Sequence, residues 1–219
     1  MERLAGAATV LLTLALGSSA LAAPVRIGKL KYGGGGDWYS NRSSLPNLIA
    51  ALRQRTAMDI ANEPGTVTPL DRELYSHSYI FATGHGRIRF TEDEAAALRR
   101  YLLRGGFLHV DDNYGMDPHF RKAVQVLFPD RELVELPFDH PIYHCFYDFA
   151  TGLPKIHEHH GGPPHGYAIL DKGRVVLFYS YNTDLGDGWE SPEVHSNPPE
   201  KREAALRMGV NILVYALTH

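Results

Sequence analysis

Cysteine is almost missing from this chain: Cys145 is the only one in 219 residues. A single thiol forms no internal disulfide, so the fold must rest on its apolar core even in an oxidising compartment. Charge of one sign is also scarce. Twenty-two Lys and Arg stand against 25 Asp and Glu, a net charge of -3, which leaves no sequence-wide basic field and excludes a general nucleic-acid binder. The one long apolar run, residues 4–16, is too short to span a bilayer comfortably. Several chemical signatures are missing too: G-x-S-x-G, G-x-C-x-G, G-x-G-x-x-G, a P-loop Lys-Ser/Thr pair and H-E-x-x-H. Nucleophile-elbow hydrolysis, nucleotide binding and the familiar zinc-protease spacing are therefore not indicated.

What is present begins with an N-terminal leader. Arg3, the apolar run, and Ala20-Leu21-Ala22 as a small-x-small site predict a signal peptide over residues 1–22 and a single domain over 23–219, with an uncleaved anchor over residues 4–23 as the other reading. The expected location is outside the cytoplasm, in the periplasm of a Gram-negative cell or extracellular. Cys145 is far from the cleavage site, which excludes lipid attachment at a new N-terminal cysteine. No second spanning segment follows, so no stable membrane span is expected after cleavage.

Along the rest of the chain strands alternate with helices. Residues 26–32 read as a strand running into Gly33-Gly34-Gly35-Gly36, after which Leu45, Leu48, Ile49 and Leu52 keep the i, i+3, i+4, i+7 stripe of a helix capped by Ser43 or Ser44. Residues 79–83 form a short strand ending at Gly84-His85-Gly86; Thr91 and Glu94 then have capping-box spacing and open a helix that Gly105 and Gly106 stop. Residues 107–111 make a third strand. Asp117-Pro118 starts a helix with Phe120, Ala123, Val124 and Leu127 on its stripe. This rhythm predicts an α/β fold with a doubly wound, largely parallel twisted sheet. Later the pattern changes: residues 142–149 read as an aromatic strand, and residues 167–170 and 175–179 as a hairpin across Asp171-Lys172-Gly173, an antiparallel C-terminal extension. A last apolar helix runs from Asn197-Pro198-Pro199 to about Leu217.

Ligands of open parallel sheets bind where the loops converge at the carboxyl ends of the strands. Three polar loops follow the three parallel strands here. Gly34, Gly35 and Gly36, with Asp37 and Trp38 behind them, are either an anion cradle or a plain turn. His85 sits in the second loop. Asp111 and Asp112, followed by Asn113 and Tyr114, are either a general base or metal ligand, or cap and turn residues. His85, Asp111 and Asp112 are the catalytic candidates; Gly34 to Trp38, His85, Asn113 and Tyr114 are the ligand-binding candidates. His109, on the face of Asp111, is either part of that chemistry or a satisfied core histidine. His140, His144, His157 and His159 are candidate ligands for zinc or another divalent metal, with solvated loop histidines as the other reading. Cys145 reads as a buried small hydrophobe rather than a thiolate.

The blocks Lys31-Tyr32-Gly33-Gly34-Gly35-Gly36-Asp37-Trp38-Tyr39, Gly84-His85-Gly86, residues 105–118, residues 136–146, Leu185-Gly186-Asp187-Gly188-Trp189-Glu190 and residues 199–205 resemble the bacterial domain-of-unknown-function family 4159. The resemblance covers essentially the whole mature chain. It implies a fold like that of the class I glutamine amidotransferases and no particular activity. Those enzymes carry a Cys on a strand-to-helix elbow, whereas the comparable strand end here carries Asp111-Asp112-Asn113, so glutamine hydrolysis by a thiolate is not expected. Two function classes follow. The main reading is an exported module that binds a small molecule, an envelope polymer or an envelope protein; the alternative is a metal-assisted hydrolase for a cell-envelope or sugar-like substrate.

Overall fold

The computed structural model describes residues 23–158 and 161–219. The expected signal peptide and His159 lie outside those residues. One seven-stranded sheet organises them, in the order β2-β1-β3-β4-β7-β6-β5. Its strands are β1 (Ile27–Leu30), β2 (Gly65–Val67), β3 (Tyr79–Ala82), β4 (Phe107–Asp111), β5 (Val134–Glu135), β6 (His165–Asp171) and β7 (Arg174–Tyr181). The pairs from β2 through β7 are parallel, and β6 and β5 run antiparallel along the other edge. β7 is thus the hinge of the topology. It leaves β6 through a two-residue turn in which Lys172 and Gly173 both have positive φ, 51° and 83°, the geometry that matches the twist of paired strands. It then pairs parallel with β4.

Two apolar layers cover the sheet. On one face lie α1 (Ser44–Arg55) through Leu45, Leu48 and Leu52, and α6 (Pro199–Thr218) through Ala205, Met208 and Ile212. On the other lie α2 (Glu92–Leu103) through Leu98 and Leu102, and α3 (Asp117–Leu127) through Phe120 and Leu127. The helical stripes read in the sequence are the buried stripes, because residues at 3.6-residue spacing must share the face turned to the sheet. α2 begins with the capping box expected of it: Thr91 Oγ1 accepts from Glu94 N and the Glu94 carboxylate from Thr91 N. Two further short helices follow β7, α4 (Leu185–Trp189) and α5 (Pro192–His195).

The segment expected as an aromatic strand at residues 142–149 is not one. A 3-10 turn at Pro141–Tyr143 starts it, and its backbone pairs with a helix: Tyr147 N donates to Asn211 Oδ1, and Asn211 Nδ2 donates to the Tyr147 carbonyl. Pro141 has no N–H to give a ladder, and the buried amide of Asn211 on α6 takes the place of a neighbouring strand. The antiparallel part also differs in position. It is the β5–β6 edge, ahead of β7 in the chain, whereas β7 itself lies inside the sheet.

Candidate metal centre

Asp111, the last residue of β4, is fully buried and binds the start of α4. Its oxygens accept from Ser180 Oγ at 2.6 Å, Leu185 N at 3.2 Å and Gly186 N at 2.7 Å. α4 is also pressed onto α6. A Cβ on Gly188 would stand 2.3 Å from that of Ala205, and Trp189 Nε1 donates to the Ala205 carbonyl at 2.7 Å. Only glycine allows this approach, and it fixes the position of the residue between these anchors, Asp187.

Around Asp187 three side chains meet. His157 arrives on a loop held against the end of β7, with Ile156 N donating to the Thr183 carbonyl at 2.9 Å. His195 arrives on α5. One ligand atom from each of His157, Asp187 and His195 lies within 4.8 Å of the others. His157 Nδ1 is 2.9 Å from Asp187 Oδ2, and His195 Nε2 is 3.4 Å from Oδ1. Metal–ligand bonds of ~2.0–2.1 Å in a tetrahedron put donor atoms about 3.3 Å apart, so this cluster is positioned to coordinate a divalent metal ion.

The surroundings orient the set. Asn41, whose φ of 53° is left-handed, donates from Nδ2 to Asp187 Oδ1 at 2.7 Å. Asn197 Oδ1 lies 2.8 Å from His157 Nε2, an acceptor that keeps the proton on that nitrogen and turns Nδ1 toward the centre. Burial pushes Asp187 up, but the His157 hydrogen bond, the charges of His195 and His157 and the Asn41 amide outweigh it and hold the carboxyl below its ordinary value. His157 is raised, chiefly by its bond to Asp187. Asp184 sits 3.6 Å from His157 Nδ1; burial, then the charges of Asp111, Asp187 and Asp112, push it up to about 9.

The three loops singled out in the sequence do meet. Gly33 bridges Arg89, Gly36 N donates to the Arg87 carbonyl at 2.9 Å, and Gly86 N donates to the Tyr114 carbonyl at 3.4 Å. The glycines serve this packing. A Cβ on Gly36 would stand 2.6 Å from the Arg87 carbonyl oxygen, and one on Gly34, at φ 108°, 2.9 Å from Arg89 N; Gly35 turns between them. Asp37 accepts from the backbone and ring nitrogens of His85, the latter at 3.0 Å. Trp38 lies under Lys31 and edge-on to Tyr39. Asn113 is buried and donates to Asn41 Oδ1 at 3.5 Å, linking its loop to the centre; Tyr114 is exposed. Asp112 points away from Asp111, accepts from Asn182 N at 3.4 Å and is pushed up to about 7 by burial and then by Asp117.

The remaining candidates sit apart. His140 Nδ1 accepts from Ile142 N, and His144 is taken by Asp148 and the Phe138 carbonyl at 2.6 and 2.7 Å; both border the end of α6. Of the candidate histidines that are described, His157 alone joins the cluster. His109 is a satisfied core histidine, with Nδ1 2.7 Å from the Tyr79 hydroxyl and Nε2 2.8 Å from Ser180 Oγ, and burial pushes it down to about 3. Cys145 donates to the Asn211 carbonyl and is pushed up to about 11 by burial, far from a reactive thiolate.

Asp187, His195, Asn41 and Asn197 were not singled out by sequence reasoning. Asp187 stood within a recognised block, but 38 residues separate His157 from His195 and no spacing rule connects them. No helix among the described residues is long and apolar enough to cross a membrane. No curated protein matches the chain. Over residues 26–217 it matches the model of the family described as a domain of unknown function, DUF4159, and the chain belongs to that family.

Proposed function

We propose that this protein is a metal-dependent hydrolase whose centre is His157, Asp187 and His195. The observation that carries the reading is the convergence of two imidazoles and one carboxylate from three separate segments. That set matches catalytic zinc sites, in which three protein ligands leave a position open. A divalent ion held by His157, Asp187 and His195 would supply Lewis acidity and lower the pKa of a bound water toward neutrality.

The chain's own residues supply the rest. Asn41 and Asn197 hold Asp187 and His157 in their liganding orientations. A groove of about 520 Å³ lies beside the cluster, walled by Tyr39 to Ser43 on one side and by Glu190, Ser191, Glu193 and Val194 on the other. Asn41 lines this groove and also donates to Asp187, which joins the groove to the centre. The exposed Tyr39 ring beside hydroxyl and carboxylate groups suits a sugar-like substrate, apolar on a ring face and polar at its edges. The strand order and the two-sided helix cover support a kinship with the class I amidotransferase fold, with the chemistry moved from an elbow cysteine to the loop before β6 and the segments after β7.

The test is elemental analysis of protein purified without a His tag, followed by chelation and Asp187→Asn. About one equivalent of zinc or a similar ion is expected. Chelation and the substitution should each remove hydrolysis across a panel of glycan esters and amides. Substoichiometric metal, or unchanged metal content in Asp187→Asn, refutes the metal centre; full metal with no turnover leaves a metal-bound binding module instead of an enzyme.

A further inference from the structure

On the opposite face of the sheet, between the β3–α2 connection and α3, a cavity of about 500 Å³ opens. Its floor is apolar. Ile88, Phe90 and Ala123 are buried in the layer beneath α2 and α3, and Val126 extends that floor into solvent. Its rim is basic: Arg87 and Arg89 on one side, His119 and Lys122 on the other.

This pattern follows from local structure. Gly33 pairs with Arg89 in an antiparallel bridge, which holds residues 87–90 extended, so alternate side chains point to opposite sides. Ile88 and Phe90 enter the core while Arg87 and Arg89 turn outward together. On α3, His119, Lys122 and Val126 follow at i, i+3, i+7 and share one helix face. Among the described residues, none of the four basic side chains forms a hydrogen bond or ion pair. Glu92 is the one carboxylate in the lining. Three fixed cations against one acid, at a single cavity of a chain with net charge -3, form a local field of the opposite sign to the whole.

We propose that this cavity binds a small organic anion, with its phosphate or carboxylate head on Arg87, Arg89 and Lys122 and its apolar body over Ile88, Phe90 and Val126. The volume falls in the range of small-molecule sites, and the guanidinium forks suit either head group bidentately. The inference is independent of the metal centre, whose residues lie on the α1 and α6 side of the sheet.

Amide-resolved NMR titration of the full chain with phenyl phosphate tests it. Saturable shifts are expected in residues 87–92 and 119–126, with inorganic phosphate and benzyl alcohol, the head and the body alone, each binding about tenfold more weakly. Arg87→Glu with Lys122→Glu should weaken phenyl phosphate about tenfold, whereas Arg100→Glu, an exposed cation outside the cavity, should not change it. Absence of saturation below about 10 mM, shifts confined to the surroundings of His157, Asp187 and His195, equal affinity for benzyl alcohol, or less than a threefold loss in the double variant overturns the assignment.

Discussion

Asn41→Gly isolates the contribution of a residue that touches the candidate metal centre without belonging to it. The Asn41 amide is 2.7 Å from Asp187 Oδ1, and the Asp187 side chain is only 8% exposed, so water replaces that donor poorly. Removing a partner of this kind lowers metal affinity about 10- to 100-fold, or roughly 1.4 to 2.7 kcal/mol. Glycine is the informative substitute because Asn41 has a φ of 53°. Alanine would add backbone strain of ~1 kcal/mol or more to the reading, whereas glycine adopts this conformation freely and keeps the Asn41 carbonyl, to which Ser44 Oγ donates at 2.8 Å. Its cost is unfolded-state entropy of about 0.4 to 1 kcal/mol, which a urea titration of the metal-free protein measures separately. The assay is competitive zinc titration, with the visible bands of the cobalt(II) protein reporting whether coordination geometry persists. A zinc affinity within threefold of the parent, with the fold intact, refutes the reasoning.

Two further perturbations test how the fold supports the site. Gly188→Ala places a Cβ 2.3 Å from that of Ala205; overpacking there should cost about 1–3 kcal/mol in urea unfolding and weaken zinc binding with it, and an unchanged midpoint would show that α4 does not need its contact with α6. Asp111 gives a pH dependence. Burial raises it from 3.8 to about 7, despite the Ser180 and Gly186 donors, so between about pH 4 and pH 7 the folded state holds a proton that the unfolded state has released. Stability of the chelated protein should therefore fall as pH rises through that window, by up to ~1.4 kcal/mol per unit for this one group. Asp111→Asn should flatten the slope by about one proton, and a slope identical to the parent's would show that Asp111 is ionised throughout.

The α/β architecture was legible because it rests on local periodicity. Leu45, Leu48, Ile49 and Leu52 must share a helix face wherever that helix lies, and Thr91 with Glu94 closes a capping box using only neighbouring backbone. The glycine loop, the His85 loop and the Asp111 loop were likewise placed at one sheet edge by the parallel rhythm of their strands. The candidate metal cluster was not legible, because it depends on side chains brought together by tertiary packing. Asp111 anchors α4 from a buried site and so helps to place Asp187, a member of the candidate metal cluster. His140 and His144 were grouped with His157 by proximity in sequence, yet a 3-10 turn and the amide of Asn211 carry their segment to the end of α6. His195 is brought to His157 across 38 residues by α5, a helix too short to announce itself by periodicity. Sequence determined which segments could be strands and helices; only packing, through the close contact of Gly188 with Ala205 and the loop held at Thr183, decided which histidines face one carboxylate.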